Sequence, residues 1–404
     1  MKKILSTTAI LLGTTILAAP AFAGDLPSRA ELWSLIQKQQ QQIEDLQAKM
    51  TSTEVKVAAT GDAVEEIAAA GSGSGAPSWT DKTTIGGYGE LHYNGGAKDQ
   101  IDFHRFVLFF GHEFTEDLRF FAEFELEHAL AGDDQDGEVE LEQAFIEYDF
   151  AEYHTVSAGV MLLPIGILNE GHEPNTFYGV ERNDVEKKII PTTWWEAGVG
   201  VRGEIAEGFN YDVMYHSGLN VDETTFSIRG GRQKVSNATA KDGAVTGRLT
   251  WTGMPGVEIG ASAQYQEDIT QETDKAAAVL LEGHINASYN VGAGSLGLRA
   301  LYAQWDIDNA TAETLGRDEQ YGWYVEPSYK MAVGNAGDLG VFARYEEWDE
   351  NAGNATDTVY TRTTFGANFW PHPDVVVKVD YQIDDNPTGA AEDDRLNLGL
   401  GYQF

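Results

Sequence analysis

One irregular segment with charged side chains of both signs interrupts an otherwise regular pattern in this sequence. The segment 163–194 contains NEGHEPNTFYGVER and mixes Pro, Gly and Asn with both signs of charge. Its candidate functional residues are Glu170, Glu173, Glu181, Arg182, Asp184, Glu186, Lys187 and Lys188. Carboxylates and basic groups that lie close together in a water-filled space attract or repel charged solutes, so the chemistry this segment suggests is ion selection.

No motif in the sequence predicts catalysis, a cofactor or a resident metal ion. Gly198–Gly203 (GVGVRG) matches a dinucleotide fingerprint only in its letters, because the alternation of apolar and polar residues continues through it. Its glycines would instead leave room in a wall beneath segment 163–194. Gly132–Gly137 (GDDQDG) resembles a calcium loop but has glycine at the first ligand position, so it predicts at most loose divalent binding. The nine histidines are dispersed, and no serine, histidine and carboxylate set suggests a hydrolase.

The elements that must position the charged side chains are β-strands. From 83 to 404 the sequence alternates apolar with polar or small residues, as in the C-terminal RLNLGLGYQF. Sixteen segments have this period of two, which predicts strands with one apolar face. The connections are short after even-numbered segments and long and polar after odd-numbered ones, such as 218–241. We therefore predict an all-β fold, a transmembrane antiparallel β-barrel of sixteen strands.

A soluble β-sandwich would also alternate, but two features favour the barrel. Aromatic residues gather at two levels, as expected for two membrane interfaces. They are Tyr93, Tyr265, Trp305, Trp348 and Tyr381 on the long-loop side, and Phe150, Trp251, Tyr289, Tyr329 and Trp370 on the short-turn side. The opposite face of the strands carries many charges, which a water-filled lumen accepts and a packed core does not. Sixteen strands leave an aqueous channel, so passive diffusion of small solutes is the expected function.

The sequence before the barrel predicts three further segments. Residues 1–23 have the basic start, short apolar run and small-residue end of a signal peptide rather than of a membrane anchor. Residues 24–70 have heptad spacing, which predicts a short α-helical coiled coil or, alternatively, one amphipathic helix packed on the rest of the chain. Residues 71–82 are a Gly/Ser linker. Loss of Lys2 and Lys3 with the signal peptide changes the net charge from −37 to −39, which argues against nucleic acid as a partner.

Five predicted strands carry a basic side chain on the face toward the lumen. Because the last strand closes on the first, these strands are nearly adjacent in the ring, and their basic side chains should form one nearly continuous arc. The members of this predicted basic wall are Arg105, Arg344, Arg362, Lys378 and Arg395. Segment 163–194 holds more apolar residues than a disordered external loop would, so we expect it to fold inward as a constriction loop. The basic wall would then face this loop across the narrow zone and set a transverse field. The alternative is that the arginines pair with neighbouring carboxylates and serve only the fold.

The constriction loop also carries a family resemblance. Pro164–Gly166 (PIG), Phe177–Arg182 (FYGVER) and Ile190–Gly200 (IPTTWWEAGVG) resemble the equivalent segment of the phosphate-selective porin O and P family. The resemblance implies a trimeric sixteen-stranded outer-membrane channel, and relatives with an N-terminal coiled coil include dicarboxylate channels. Phosphate-specific members have a strongly basic constriction, whereas this loop is rich in Glu. The resemblance thus implies a channel for small polar or charged molecules, with anions such as dicarboxylates or phosphate as candidate solutes.

The expected partners follow from this architecture. The apolar strand faces predict contact with outer-membrane lipid and lipopolysaccharide, and the resemblance implies a homotrimer. Phe404 ends an outward apolar row, as in the C-terminal signature of proteins inserted by the barrel-assembly machinery. We expect a bacterial outer-membrane location, with the N-terminal segment in the periplasm. An adhesin or envelope tether and a barrel enzyme are the alternative functions.

Overall fold

The barrel predicted from the alternation is present and closed. The structure is a computed structural model that describes residues 79–404 except 133, 273, 274 and 355. The predicted signal peptide, the coiled coil and all but the end of the linker lie outside the described residues. The strands are β1 (Thr83–Asn94), β2 (Gln100–Glu113), β3 (Leu118–Glu127), β4 (Val139–Ala151), β5 (His154–Leu162), β6 (Trp195–Ala206), β7 (Phe209–His216), β8 (Ala244–Met254), β9 (Val257–Gln266), β10 (Ala277–Val291), β11 (Gly294–Asp308), β12 (Glu319–Ala332), β13 (Asp338–Asp349), β14 (Tyr360–His372), β15 (Val375–Asp385) and β16 (Arg395–Gln403).

Every strand pairs antiparallel with its neighbours in the sequence, and β1 closes the ring by pairing with β16. The closing register sets Leu91 opposite Leu400, and the backbone N–H of Gly87 donates to the carbonyl oxygen of Phe404 at 3.0 Å. A closed ring leaves no unpaired strand edge, which is the condition for β-structure in a membrane. The prediction of a sixteen-stranded all-β fold is thus confirmed for the described part of the chain.

Helical structure in the described residues is limited to single turns and one short helix. The 3-10 turns are Trp79–Lys82 and Arg229–Gly231, the π-helical turn is Val185–Ile189, and the α-helix α1 is Ala310–Leu315. Asn309 caps α1 by accepting hydrogen bonds from the backbone N–H groups of Thr311 and Ala312. None of these described helices is long and apolar enough to cross a membrane.

The outward face of the strands is apolar and exposed, as the alternation predicts. On β16, Leu396, Leu398 and Leu400 are exposed, whereas the side chain of Asn397 between them is fully buried. The same pattern recurs around the ring, so large apolar side chains form the exposed surface and polar side chains line the interior. This inside-out arrangement suits a barrel that is surrounded by lipid.

Two long segments fold into the barrel and build an apolar core inside it. One is segment 163–194 between β5 and β6, hereafter the third loop, and the other is 217–243 between β7 and β8, hereafter the fourth loop. The core joins Ile165, Ile189 and Trp194 of the third loop to Phe226 and Ile228 of the fourth. The expectation that 218–241 is simply a long polar connection was therefore wrong, since Leu219, Val221, Phe226 and Ile228 are buried.

Three tryptophans assigned to the membrane interfaces point into the barrel instead. Trp305 is fully buried, and its Nε1–H donates to the carbonyl oxygen of Ile189 in the third loop at 2.9 Å. Trp348 belongs to the interior core, and Trp370 packs edge-on against Tyr178 with 5.7 Å between ring centroids. On its own strand, each tryptophan is an even number of residues from an arginine that faces the lumen. Because side chains alternate between the two faces of a strand, these tryptophans must also point inward.

Candidate functional site

Hydrogen bonds with the side chains of Asn169 and of the buried Glu186 hold the third loop together. Asn169 Nδ2 donates to the carbonyl oxygens of Leu163 and Trp194 at 2.8 and 3.0 Å, and its Oδ1 accepts from the backbone N–H of Trp194 at 2.7 Å. Glu186 accepts hydrogen bonds from the backbone N–H groups of Ile167 and Leu168 at 2.6 and 2.7 Å. Because these bonds satisfy buried groups, the loop has a defined conformation within the lumen.

Two members of the predicted basic wall lie directly beneath the third loop. Arg344 contacts Glu326 at 3.1 Å and donates to the carbonyl oxygens of Tyr178 and Glu181. Arg362 lies 2.6 Å from Asp384 and 2.7 Å from Asp184. At these positions the basic wall therefore contacts the third loop directly, instead of facing it across an open narrow zone as predicted. Their arrangement matches the alternative in which the arginines pair with carboxylates and serve the fold.

The other three members of the predicted basic wall are spread over different surroundings. Arg105 is buried beside Glu90, with 3.1 Å between Nε and Oε1. Lys378 is buried with its Nζ 3.6 Å from the centroid of the Phe177 ring. Arg395 is half-buried and donates to the Gln382 side chain at 2.8 Å. The five residues are on the lumen side, but the third loop covers part of the arc.

The charged residues predicted on the third loop divide into buried anchors and more exposed groups. Asp184 and Glu186 are buried, and Asp184 pairs with Arg362 on β14. Glu181 lies 3.2 Å from His92 and accepts from Asn94 at 2.9 Å. Lys187 is exposed, whereas Glu173, Arg182 and Lys188 are half-buried. Glu170 is exposed and pairs with Arg248 on β8.

Glycines on β16 allow the third loop to approach the wall closely. A Cβ atom at Gly401 would lie 2.4 Å from Cβ of Pro174, and one at Gly399 would lie 3.2 Å from a methyl group of Val180. The glycines of Gly198–Gly203 do not have this role, because their close neighbours are strand residues such as His216 and His154. The expectation that they leave room for the loop was wrong, and β16 supplies that room.

A cavity of about 970 Å³ lies between the β1–β4 side of the barrel and the two inward loops. It is lined by Arg105, Arg182, Lys187, Arg229, Arg232 and Lys234 and by the carboxylates Glu90, Glu127, Glu140 and Glu181. The whole chain has 27 Lys and Arg against 64 Asp and Glu, so this cavity reverses the overall charge ratio. Basic residues are concentrated here by the fold, not by the composition.

Three arginines of this cavity, Arg182, Arg229 and Arg232, are held by backbone carbonyl oxygens and form the arginine cluster. Arg229 donates to Thr192 O at 2.7 Å and to Lys187 O at 3.2 Å. Arg232 donates to Thr193 O, and Arg182 donates to His172 O at 3.5 Å. A carbonyl oxygen satisfies a guanidinium donor without cancelling its charge. The cluster therefore retains positive charge that ion pairing would neutralise.

Burial and neighbouring positive charges lower the pKa values of Arg229 and Arg182. Burial lowers the pKa of Arg229, and the positive charges of Arg232 and Arg182 lower it further. Burial and then the Arg105 charge lower the pKa of Arg182. Glu181 has positively charged neighbours: burial raises its pKa, but the hydrogen bond with His92 and the charges of His92, Lys187 and His104 together hold the pKa well below its usual value.

Sequence reasoning selected Arg182 but missed Arg229 and Arg232. Both lie in the fourth loop, within FSIRGGRQK, where two arginines stand among Gly and polar residues. The available signal was the apolar spacing of Leu219, Val221 and Phe226 just before them, which is unusual for an exposed loop. Had that spacing been weighed, an inward fold of the fourth loop would have been predicted together with that of the third.

Comparison with known proteins gives one family and one fold. The profile of the family described as phosphate-selective porin O and P matches residues 88–404. An uncharacterised protein of Aquifex aeolicus strain VF5 is 32% identical over 333 residues, which cover 75% of this chain and 76% of that protein.

Similar solved structures have low sequence identity and establish the fold alone. The anion-selective porin from Comamonas acidovorans has a TM-score of 0.54 at 14% identity and covers 80% of this chain and 99% of its own. OmpT of Vibrio cholerae in its trimer form has a TM-score of 0.52 at 13% identity, with coverage of 80% and 99%. The outer membrane channel DcaP of Acinetobacter baumannii has a TM-score of 0.52 at 12% identity, with coverage of 80% and 97%.

Proposed function

Because the chain belongs to the phosphate-selective porin O and P family, and is an outer-membrane porin rather than an enzyme, we propose that it conducts small anions past the arginine cluster. The observation that carries this proposal is the set of arginines held by carbonyl oxygens within the narrowed lumen. An anion that enters the cavity meets guanidinium groups that form no ion pair with any described residue. Selectivity arises because a low-dielectric wall strengthens this attraction relative to bulk water.

The size of the effect is estimated from Coulomb's law. One positive charge at about 7 Å stabilises a monovalent anion by roughly 0.6 kcal/mol even with the dielectric constant of water. Three such charges contribute roughly 1.8 kcal/mol, which corresponds to roughly a 20-fold change in an equilibrium constant. Replacing Arg182, Arg229 and Arg232 together by Gln should therefore reduce the anion-to-cation permeability ratio by one order of magnitude or more.

The experiment measures reversal potentials in planar bilayers under a KCl gradient. The control variant replaces Lys82, Lys98 and Lys275 by Gln, which removes the same charge from exposed positions. We expect the reversal potential to move toward cation preference in the arginine variant and to stay near the wild-type value in the control. Equal shifts in the two variants would contradict a local role for the cluster, and a bilayer without channel steps would favour the tether function.

Competition experiments identify the preferred anion class. Phosphate and succinate are added separately to the same bilayer while the chloride current is recorded. A tetrahedral dianion and an extended dicarboxylate place their charges differently, so their blocking concentrations differ if the cluster binds one of them. Arginine replacement should weaken the block by whichever anion is preferred.

We also propose a homotrimer in the outer membrane, with the N-terminal segment on the periplasmic side. The family membership and the trimer form of a similar structure support the oligomer, and the exposed apolar strand faces support contact with lipid and lipopolysaccharide. Recognition of Phe404 by the barrel-assembly machinery is consistent with its exposed position at the end of β16. Cross-linking in detergent and protease accessibility in intact cells test these assignments.

A further inference from the structure

Two carboxylates and one imidazole meet in the interior, next to the arginine cluster. Glu123 lies on β3, Glu142 on β4 and His172 on the third loop. Nε2 of His172 is 3.6 Å from Oε1 of Glu123 and 3.6 Å from Oε2 of Glu142. The residues are 1%, 1% and 2% exposed, respectively. Three ligand-type atoms therefore converge in a volume from which bulk water is excluded.

The converging atoms have no hydrogen-bond partner among the described residues, whereas the remaining polar atoms of the same side chains do. Nδ1 of His172 donates to the carbonyl oxygen of Asn169 at 3.0 Å, so in the neutral imidazole the lone pair is on Nε2. Gln143 Nε2 donates to Glu123 Oε2 at 2.6 Å, and Thr193 Oγ1 donates to Glu142 Oε1 at 2.9 Å. Outer hydrogen bonds of this kind orient the ligands of a metal ion.

A β-bulge in β4 brings Glu142 into this position. Glu123 pairs with Gln143 and the next residue, Phe124, pairs with Leu141, so Glu142 is the extra residue of the bulge. As a result, Glu142 and Gln143 are consecutive in the sequence and yet both reach the Glu123–His172 group. Bulges re-aim side chains at functional positions, and this one supplies a ligand atom and a supporting donor together.

A proton alone accounts poorly for the geometry. An N–H group shared between the two oxygen atoms would form a three-centre hydrogen bond, and at 3.6 Å each arm is beyond hydrogen-bond distance. His284 provides the contrast within the same barrel, because its Nδ1 lies 2.7 Å from Glu282 while its other nitrogen, Nε2, faces Glu258 at 3.4 Å. His284 thus bridges two carboxylates with two nitrogens, whereas His172 presents a single nitrogen to both carboxylates.

Distances and charge both suit a divalent cation. Ligands bound at about 2.1 Å in a tetrahedral arrangement are about 3.4 Å apart, close to the observed spacing. The surrounding wall buries the carboxylates Glu90, Glu123, Glu125 and Glu142 with Arg105 as the nearby guanidinium. A dication reduces the negative charge that remains, which a neutral imidazole does not do.

We propose that Glu123, Glu142 and His172 bind one divalent transition-metal ion that fixes the third loop to the β3–β4 wall. One imidazole and two carboxylates suit Zn²⁺ and Mn²⁺, which serve as the probes. Because the three ligands come from separate elements, a search for metal-ligand spacing in the sequence does not find them. Metal binding at this site is measured separately from ion selectivity, so either proposal can fail without the other.

The test combines metal content with cobalt spectroscopy on the folded protein in detergent. Protein is purified without chelator, stripped with chelator, and reloaded with Zn²⁺ or Mn²⁺ either in the folded state or during refolding. We expect about one ion per protomer in the wild type and in the matched control His284→Gln, and Zn²⁺ binding weakened at least about 100-fold in His172→Gln. Co²⁺ should give visible ligand-field bands in the wild type and in the control that His172→Gln lacks.

A second variant keeps the test decisive if His172→Gln does not fold. Glu142→Gln preserves the acceptor for Thr193 and removes only the ligand charge, and heat-modifiable migration on gels verifies its barrel. It should also lose the ion and the Co²⁺ bands. Wild-type protein that retains less than about a tenth of an ion per protomer after refolding with either metal would overturn the proposal. Equal metal content in the wild type and a folded ligand variant would overturn it as well.

Discussion

Replacement of Phe226 by Ala tests whether the fourth loop is an integral part of the lumen. Phe226 is fully buried in the core shared by the two inward loops, and Gln320 Nε2 on β12 donates to its carbonyl oxygen at 2.9 Å. Truncating a buried phenylalanine costs about 3–5 kcal/mol, since apolar contacts are lost and a cavity remains. At about 1.4 kcal/mol per tenfold change, the opened state of the loop should become roughly 100- to 4,000-fold more populated.

Hydrogen exchange and single-channel conductance measure the two consequences of this opening. The backbone N–H of Val221 donates to Ile269 O at 2.7 Å and should exchange faster by the same factor, while amides of the strand ladder keep their protection. Conductance should rise, because a released loop leaves more of the lumen to water. The control is Phe365→Ala on the exposed outer face of β14. Unchanged Val221 exchange in a folded Phe226→Ala barrel would refute the inward packing.

Three other perturbations address the basic wall, the third loop and the N-terminal segment. Lys378→Met should leave reversal potential and heat resistance near wild type, because Lys378 is covered by Phe177; a shift as large as that of the arginine variant would contradict this placement. Because the pKa of Glu181 lies well below its usual 4.5, its contribution to stability is complete above about pH 4.5 and is lost as pH falls further, so Glu181→Gln should show a smaller drop in Tm between about pH 5 and pH 3. Deletion of Asp25–Gly75 should leave a folded, conducting barrel whose trimer dissociates at lower temperature on gels, whereas failure to insert would show that the segment is needed for biogenesis.

The strands were predictable because the alternation within each one shows which of its side chains face outward. A period of two, repeated sixteen times with one apolar face, is a local property, and the short and long connections fix the direction of the ring. The misassigned tryptophans show the limit of judging by residue type. Trp305 is an even number of residues from Arg299, and Trp348 is an even number from Arg344, so the alternation alone predicts that both tryptophans face the lumen. Their aromatic character misled the interpretation.

The inward loops were less predictable, because their positions depend on contacts between residues that are distant in the sequence. Arg362 and Asp184 are 178 residues apart, and their 2.7 Å contact has no local signature. The alternation along β14 indicates that Arg362 points into the lumen. It does not indicate whether the side chain will contact water, a neighbouring strand or a loop there. The fourth loop shows the same limit, since its arginines become a cluster only when the third loop presents carbonyl oxygens to them.

The third loop divides the interior into two electrostatic environments. On one side, His172 lies against buried carboxylates of β3 and β4; on the other, Thr192 and Thr193 offer carbonyl oxygens to Arg229 and Arg232. Thr193 takes part in both, since its hydroxyl donates to Glu142 while its carbonyl accepts from Arg232. In a chain of net charge −37, arginines beside those carboxylates would be neutralised by pairing. Because the loop offers carbonyl oxygens to Arg182, Arg229 and Arg232, these arginines contact carbonyl groups instead of Glu123 and Glu142 and keep a positive surface inside an acidic protein.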